Sequence, residues 1–124
     1  MRTAALLCSA AILASAVPRP AEASCYIRGD FSLSSEGPWP FSLIVDGDTA
    51  CANRNFRSAG ALFKRLNALE LPAHGKIQLE QGGRYSYTPV PGYRGPDRFL
   101  LQICGNSRRG EPGCANLLYH VEVR

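Results

Sequence analysis

Apolar residues along this chain fall mostly in short runs with a two-residue period, separated by glycine and proline. Phe99, Leu101 and Ile103 share one parity, Tyr85 and Tyr87 another short run, and Ile77 and Leu79 a third. A period of two puts such residues on one face of an extended strand. Strands are therefore expected over residues 25–33, 41–45, 51–57, 76–81, 84–88, 97–104 and 114–123. Between them lie a loop at 34–40, the turn Asp46-Gly47-Asp48, a turn at 81–83, a Gly/Pro-rich corner at 89–96 and a polar loop at 105–113. The 12 glycines and 9 prolines supply most of these breaks.

Residues 59–71 give two conflicting signals. Leu62, Phe63, Leu66 and Leu69 have helical spacing, and Ser58 could cap a helix. The turn Pro72-Ala73-His74-Gly75 that follows favours a strand entering a hairpin, and a strand is the reading adopted. The expected core is built from Tyr85, Tyr87, Phe99, Leu101 and Ile103.

The first residues read differently. Arg2 precedes an apolar run over 4–17, Pro18-Arg19-Pro20 interrupts it, and Ala21-Glu22-Ala23 supplies an A-x-A site. This is the pattern of a secretory signal peptide, expected over 1–23, with Ala14-Ser15-Ala16 an earlier cleavage site. The apolar run is shorter than the roughly 20 residues that span a bilayer, and no later stretch is long enough. One domain, 24–124, is expected to remain, in the periplasm or secreted, without a membrane span and as a monomer.

Export changes the reading of the cysteines. Cys8 leaves with the signal, and Cys25, Cys51, Cys104 and Cys114 remain. Four cysteines in a short exported chain point to two disulfides, for which three pairings exist. Cys104 ends one expected strand and Cys114 opens the next, so the favoured pairing staples the base of a hairpin loop. Cys25–Cys51 follows by remainder.

The full chain carries 14 basic and 10 acidic residues, a net charge of +4. Removal of Arg2, Arg19 and Glu22 leaves +3. The basic residues are scattered and accompany no nucleic-acid-binding motif, so no nucleic-acid partner is expected.

A longer stretch carries more specific information: Pro72-Ala73-His74-Gly75, then Tyr85-Ser86-Tyr87-Thr88-Pro89, then Gly92-Tyr93-Arg94-Gly95-Pro96-Asp97-Arg98-Phe99. It resembles the bacterial Ig-like and cadherin-like modules of secreted and surface proteins, with their P-x-x-G turn, Y-T-P strand end, G-Y-x-G corner and D-x-F strand start. The resemblance implies an all-β, Ig-like antiparallel sandwich of about seven strands, here stapled by disulfides. It makes Gly92, Tyr93, Gly95, Asp97 and Phe99 a structural corner. The glycines permit the tight path, Asp97 accepts backbone N–H groups of the corner, and Tyr93 and Phe99 bury their rings. Cadherin-like modules often bind calcium at their ends, but Asp46-Gly47-Asp48 lacks the further carboxylates of a calcium site and is read as a turn.

Candidate chemistry is sparse. His74 and His120 are the only histidines, no G-x-S-x-G elbow occurs, and the cysteines lack zinc spacing. No catalytic residue, metal or cofactor is expected. Arg28-Gly29-Asp30 is expected within a strand, poorly displayed. Binding candidates are Asn106, Arg108 and Arg109, with Ser107 and Glu111, in a loop whose staple lowers the entropy lost on recognition. Trp39, between two prolines, could stack on a sugar or pack over the end of the sandwich. The favoured function is an exported, non-catalytic binding or adhesion-type module whose partner is an anionic envelope glycan or another exported protein. A structural accessory subunit that docks by strand addition or a sheet face is the alternative. A small secreted hydrolase or inhibitor stands behind both.

Overall fold

A computed structural model describes residues 25–53, 62–80 and 83–124. The expected signal segment 1–23, residues 54–57 and 59–61 of two expected strands, the cap candidate Ser58 and the turn residues 81–82 lie outside them. The described residues form eight strands: β1 Cys25–Gly29, β2 Trp39–Val45, β3 Cys51–Asn53, β4 Leu62–Glu70, β5 Gly75–Glu80, β6 Arg84–Pro89, β7 Gly95–Asn106 and β8 Pro112–Val123. They build a β-sandwich. One sheet has the order β1-β2-β8-β7-β4 and the other β3-β6-β5.

All pairings are antiparallel except β2 with β8, which run parallel, with Phe41 opposite Tyr119 and Val45 opposite Val123. This pairing inserts β2 between β8 and β1, and β1 returns antiparallel along it. The first strand stops at Gly29 rather than running to residue 33. The Asp30 Oδ1 accepts the Phe31 N–H at 2.9 Å, so the backbone bond that would extend the ladder is satisfied locally. Arg28 and Gly29 thus close a sheet-edge strand and Asp30 follows it, all three exposed rather than hidden.

Between the sheets lies an aromatic core. Phe99 and Tyr119 stack at 4.4 Å, Tyr87 stacks on Phe99 at 5.6 Å, and Tyr85 meets Tyr119 edge-on at 5.4 Å. Phe41, Leu43, Val45, Leu101, Ile103, Leu117 and Val121 complete it. The alternation read from the sequence is the alternation of this core: Tyr85, Tyr87, Phe99, Leu101 and Ile103 are all buried.

Both favoured disulfides form. Cys104 and Cys114 are directly opposed on β7 and β8. Cys25–Cys51 does more than join neighbouring parts of one sheet. It links β1 of the larger sheet to β3 of the smaller one, across the sandwich. The turn after Val45 carries the chain from one sheet to the other, and Gly47 takes a positive φ there.

The segment with mixed signals is a strand, and its helical spacing has a structural cause. β4 bulges against β7 between Phe63 and Arg65 and again between Ala68 and Glu70. Each bulge inserts one residue and shifts the inward parity by one. Phe63 and Leu66, three apart, consequently both pack against the core.

Candidate functional site

The corner expected from residues 89–99 is present, with one difference in wiring. Gly92 and Gly95 both take positive φ, 84° and 133°. Phe99 is buried, whereas Tyr93 is half-buried, with its ring stacked on His74 at 4.0 Å and its hydroxyl bonded to the Pro96 carbonyl. Asp97 does not bond the N–H groups of residues 89–96. Its Oδ1 accepts from Ala73 N at 3.1 Å and Arg98 N at 2.9 Å, and its Oδ2 from His74 N at 3.1 Å and the Tyr87 hydroxyl at 2.7 Å. The carboxylate therefore ties the β4–β5 turn to the start of β7. The corner's own amide, Gly92 N, instead bonds Asp48 at 3.0 Å. Arg94 pairs with the same Asp48 oxygen at 2.8 Å, and the two interactions hold that carboxyl below the usual range. This end of the molecule is a structural joint held by the Asp48 and Asp97 carboxylates.

The opposite end of the sandwich carries a cleft. A cleft of about 670 Å³ lies between two loops and is lined by Phe31, Ser32, Leu33 and Ser34 on one side and Ser107, Arg108, Arg109, Glu111 and Pro112 on the other. Each wall is built locally. In the second loop Ser107 N donates to the Glu111 carbonyl at 2.8 Å, and Gly110 N donates to the Ser107 carbonyl at 2.9 Å. The Ser107 Oγ accepts from both Arg109 N and Glu111 N at 3.3 Å. The paired strands and the Cys104–Cys114 bond close its base. In the first wall the Ser32 and Ser34 hydroxyls lie 2.6 Å apart. Phe31 roots the wall in the core, 6.1 Å from Phe41 and 5.9 Å from Phe63.

The walls meet at Gly113. A Cβ there would run into the carbonyl oxygen of Leu33, so only glycine lets β8 pass this close to the first wall. Asn116 N donates to the Glu36 carbonyl at 2.7 Å and fixes the rest of the loop to β8.

Arg108 and Arg109 stand exposed on the cleft wall. Asn106 does not line the cleft; it is half-buried at the base of the loop, opposite Pro112. Trp39 is also no part of the lining. It is half-buried against the core, and its indole N–H donates to the Ser35 carbonyl at 2.9 Å. Trp39 packs over the end of the sandwich and braces the first wall. Phe31, Ser32, Leu33 and Ser34 were not among the sequence's candidates, because the run from Cys25 to Leu33 reads as one strand and nothing in its pattern marks the break at Asp30.

Chemically, the cleft lining combines two guanidinium groups, one carboxylate and three hydroxyls with the apolar side chains of Phe31, Leu33 and Pro112. The two histidines lie apart from it. His74 is stacked in the joint at the far end, and His120 is exposed on the outer face of the larger sheet, between Ser42 and Arg98. No helix among the described residues is long and apolar enough to cross a membrane. The chain matches no protein-family model, and no curated protein matches it.

Proposed function

We propose that this chain is an Ig-like binding module, exported to the periplasm or beyond, and that its cleft takes a segment of an anionic glycan. The observation that carries the proposal is the pairing of Arg108 and Arg109 with the Ser32 and Ser34 hydroxyls across one anchored cleft. Guanidinium groups bind carboxylate or sulfate by charge-assisted, bidentate hydrogen bonds. Serine hydroxyls match the hydroxyls of a sugar, and the apolar side chains in the lining suit the C–H faces of its ring. The disulfides support the assignment to an oxidising compartment, where such bonds persist. Both walls being fixed before a ligand arrives lowers the entropy lost on binding. The role is recognition rather than catalysis.

The test is a binding isotherm with an oligogalacturonate, a uronic-acid oligosaccharide, and a poly-glutamate peptide of similar charge for comparison. The double substitution Arg108→Ala/Arg109→Ala should weaken oligogalacturonate binding by about tenfold or more, about 1.4 kcal/mol for two partly exposed charge contacts. The affinity should also fall as salt rises. Equal affinity for the glycan before and after the substitution refutes the reading. Tighter binding of the peptide than of the glycan moves the site to an acidic protein surface.

A further inference from the structure

Among the described residues the larger sheet ends on β4, which is also the longest strand on any edge: nine residues against five in β1, six in β5 and three in β3. Leu69 and Leu71 are 50% and 69% exposed here. A groove of about 320 Å³ runs beside the strand, between Lys64, Arg65, Leu66 and Asn67 on one side and Leu79 and Glu80 of β5 with the turn residue Gly83 on the other.

The two bulges give β4 an internal symmetry. They set the doublets Lys64-Arg65 and Leu69-Glu70 opposite single residues of β7. These doublets lie at equal distances either side of Asn67. The register with β7 also fixes the facing. Leu66 and Ala68 oppose the buried Ile103 and Leu101, while Arg65, Asn67 and Glu70 oppose Cys104, Gln102 and Leu100 of the alternate set.

We propose that β4 pairs antiparallel with β4 of a second copy of this chain, about a twofold axis at Asn67. In that register Lys64 opposes Glu70 of the second copy, Arg65 opposes Leu69, Leu66 opposes Ala68, and Asn67 opposes itself. Inward residues meet inward residues, and bulge meets bulge. Charge names the occupant: two Lys–Glu pairs form, one on each side of the axis, and each Arg65 stem lies over an exposed Leu69. Glu70 keeps its bond to Arg98, made by Oε1 at 2.9 Å, and offers its other oxygen to Lys64. A lysine and two bulges blunt an edge against unrelated strands, whereas an inverted copy carries their complement. The interface would join two five-stranded sheets into one of ten. The Leu62 end of β4 pairs with Asn106, where the cleft loop begins, so the two clefts of the dimer lie at opposite ends of the joined sheet.

The test is sedimentation equilibrium of the oxidised protein over a concentration series. A reversible dimer of twice the monomer mass is expected. Lys64→Glu should weaken it by about tenfold, since two attractive pairs become two repulsive ones. The double variant Lys64→Glu/Glu70→Lys should bind more tightly than Lys64→Glu alone, short of the parent because Glu70→Lys also removes the bond to Arg98. Asn67→Cys should yield a covalent dimer whose peptide map shows a bond between the two introduced cysteines, an arm that holds even if a charge variant fails to fold. A monomer up to millimolar concentration, or a dimer whose affinity Lys64→Glu leaves unchanged, overturns the proposal.

Discussion

Replacing Asp97 with alanine removes four hydrogen bonds at once, from Ala73 N, His74 N, Arg98 N and the Tyr87 hydroxyl. Ala73, His74 and Arg98 lie at the surface, so water can replace the carboxylate at those amides. The Tyr87 side chain is buried, and its hydroxyl has less access to water. With about 0.5–1.5 kcal/mol net for each bond, and rehydration of the exposed amides, the expected loss is about 2–4 kcal/mol. Asp97→Asn should cost less, and for a specific reason. With its oxygen in the Oδ1 position it still accepts from Ala73 and Arg98. The Tyr87 hydroxyl can turn to accept from the new amide, which leaves one mismatched donor at His74, at about 1–2 kcal/mol. Urea unfolding followed by circular dichroism measures both values. A cycle with Tyr87→Phe should give a coupling of about 1 kcal/mol. Because this joint lies at the far end of the sandwich from the cleft, the folded Asp97→Ala protein should bind its ligand with unchanged affinity. A loss below about 0.5 kcal/mol for Asp97→Ala, the ordinary range for a surface substitution, would refute the account of the joint.

Three further outcomes follow from the same structure. In the chain-entropy picture the Cys25–Cys51 loop, 26 residues apart in sequence, stabilises by about 3.5 kcal/mol, and the Cys104–Cys114 loop, 10 apart, by about 2.7 kcal/mol. Paired Cys→Ala variants, compared by urea unfolding, should therefore rank in that order, and only the second pair should also weaken cleft binding. Burial raises the pKa of Tyr119, helped by the neighbouring Tyr85 hydroxyl; burial and the bond to Asp97 raise that of Tyr87. Above the unfolded value of 10.0 the folded state holds more protons than the unfolded one, so stability should be intact below pH 10 and fall as pH rises beyond it. A spectrophotometric titration near pH 11 should leave both phenols protonated. Gly113→Ala drives a methyl into the Leu33 carbonyl, and should cost about 1–3 kcal/mol and displace the first cleft wall, readable as both lowered stability and weakened binding.

Much of the fold was legible in the chain because the core obeys one rule. Tyr85, Tyr87, Phe99, Leu101 and Ile103 keep a strict period of two and are buried together. The Cys104–Cys114 bond was legible from strand ends alone, since directly opposed positions follow from a hairpin. Where sequence and structure part, a local interaction overrides the period. At Asp30 a side chain takes the amide that would have extended β1, and residues 31–34 become a cleft wall. In β4 the bulge at Lys64-Arg65 breaks the alternation and brings Phe63 and Leu66, three apart as on a helix, to one face. The parallel pairing of β2 with β8 and the sheet change before Cys51 depend on contacts far apart in sequence, so no short window records them. Arg108 and Arg109 were visible as charges in a stapled loop, but the wall facing them was not, because it is brought there by Phe31, Gly113 and the Glu36 carbonyl. Trp39 carried two meanings in the sequence, and the Ser35 carbonyl at its indole N–H gives it the role of brace.

The most direct test of the central claim maps the ligand onto the molecule. Isotopically labelled protein is titrated with the oligogalacturonate, and backbone amide shifts are followed by NMR. The account predicts saturable perturbations clustered at residues 31–34 and 107–112, and their loss in the Arg108→Ala/Arg109→Ala variant. Saturable shifts centred instead on the outer sheet face around His120 and Arg98, or none at millimolar glycan, would contradict it.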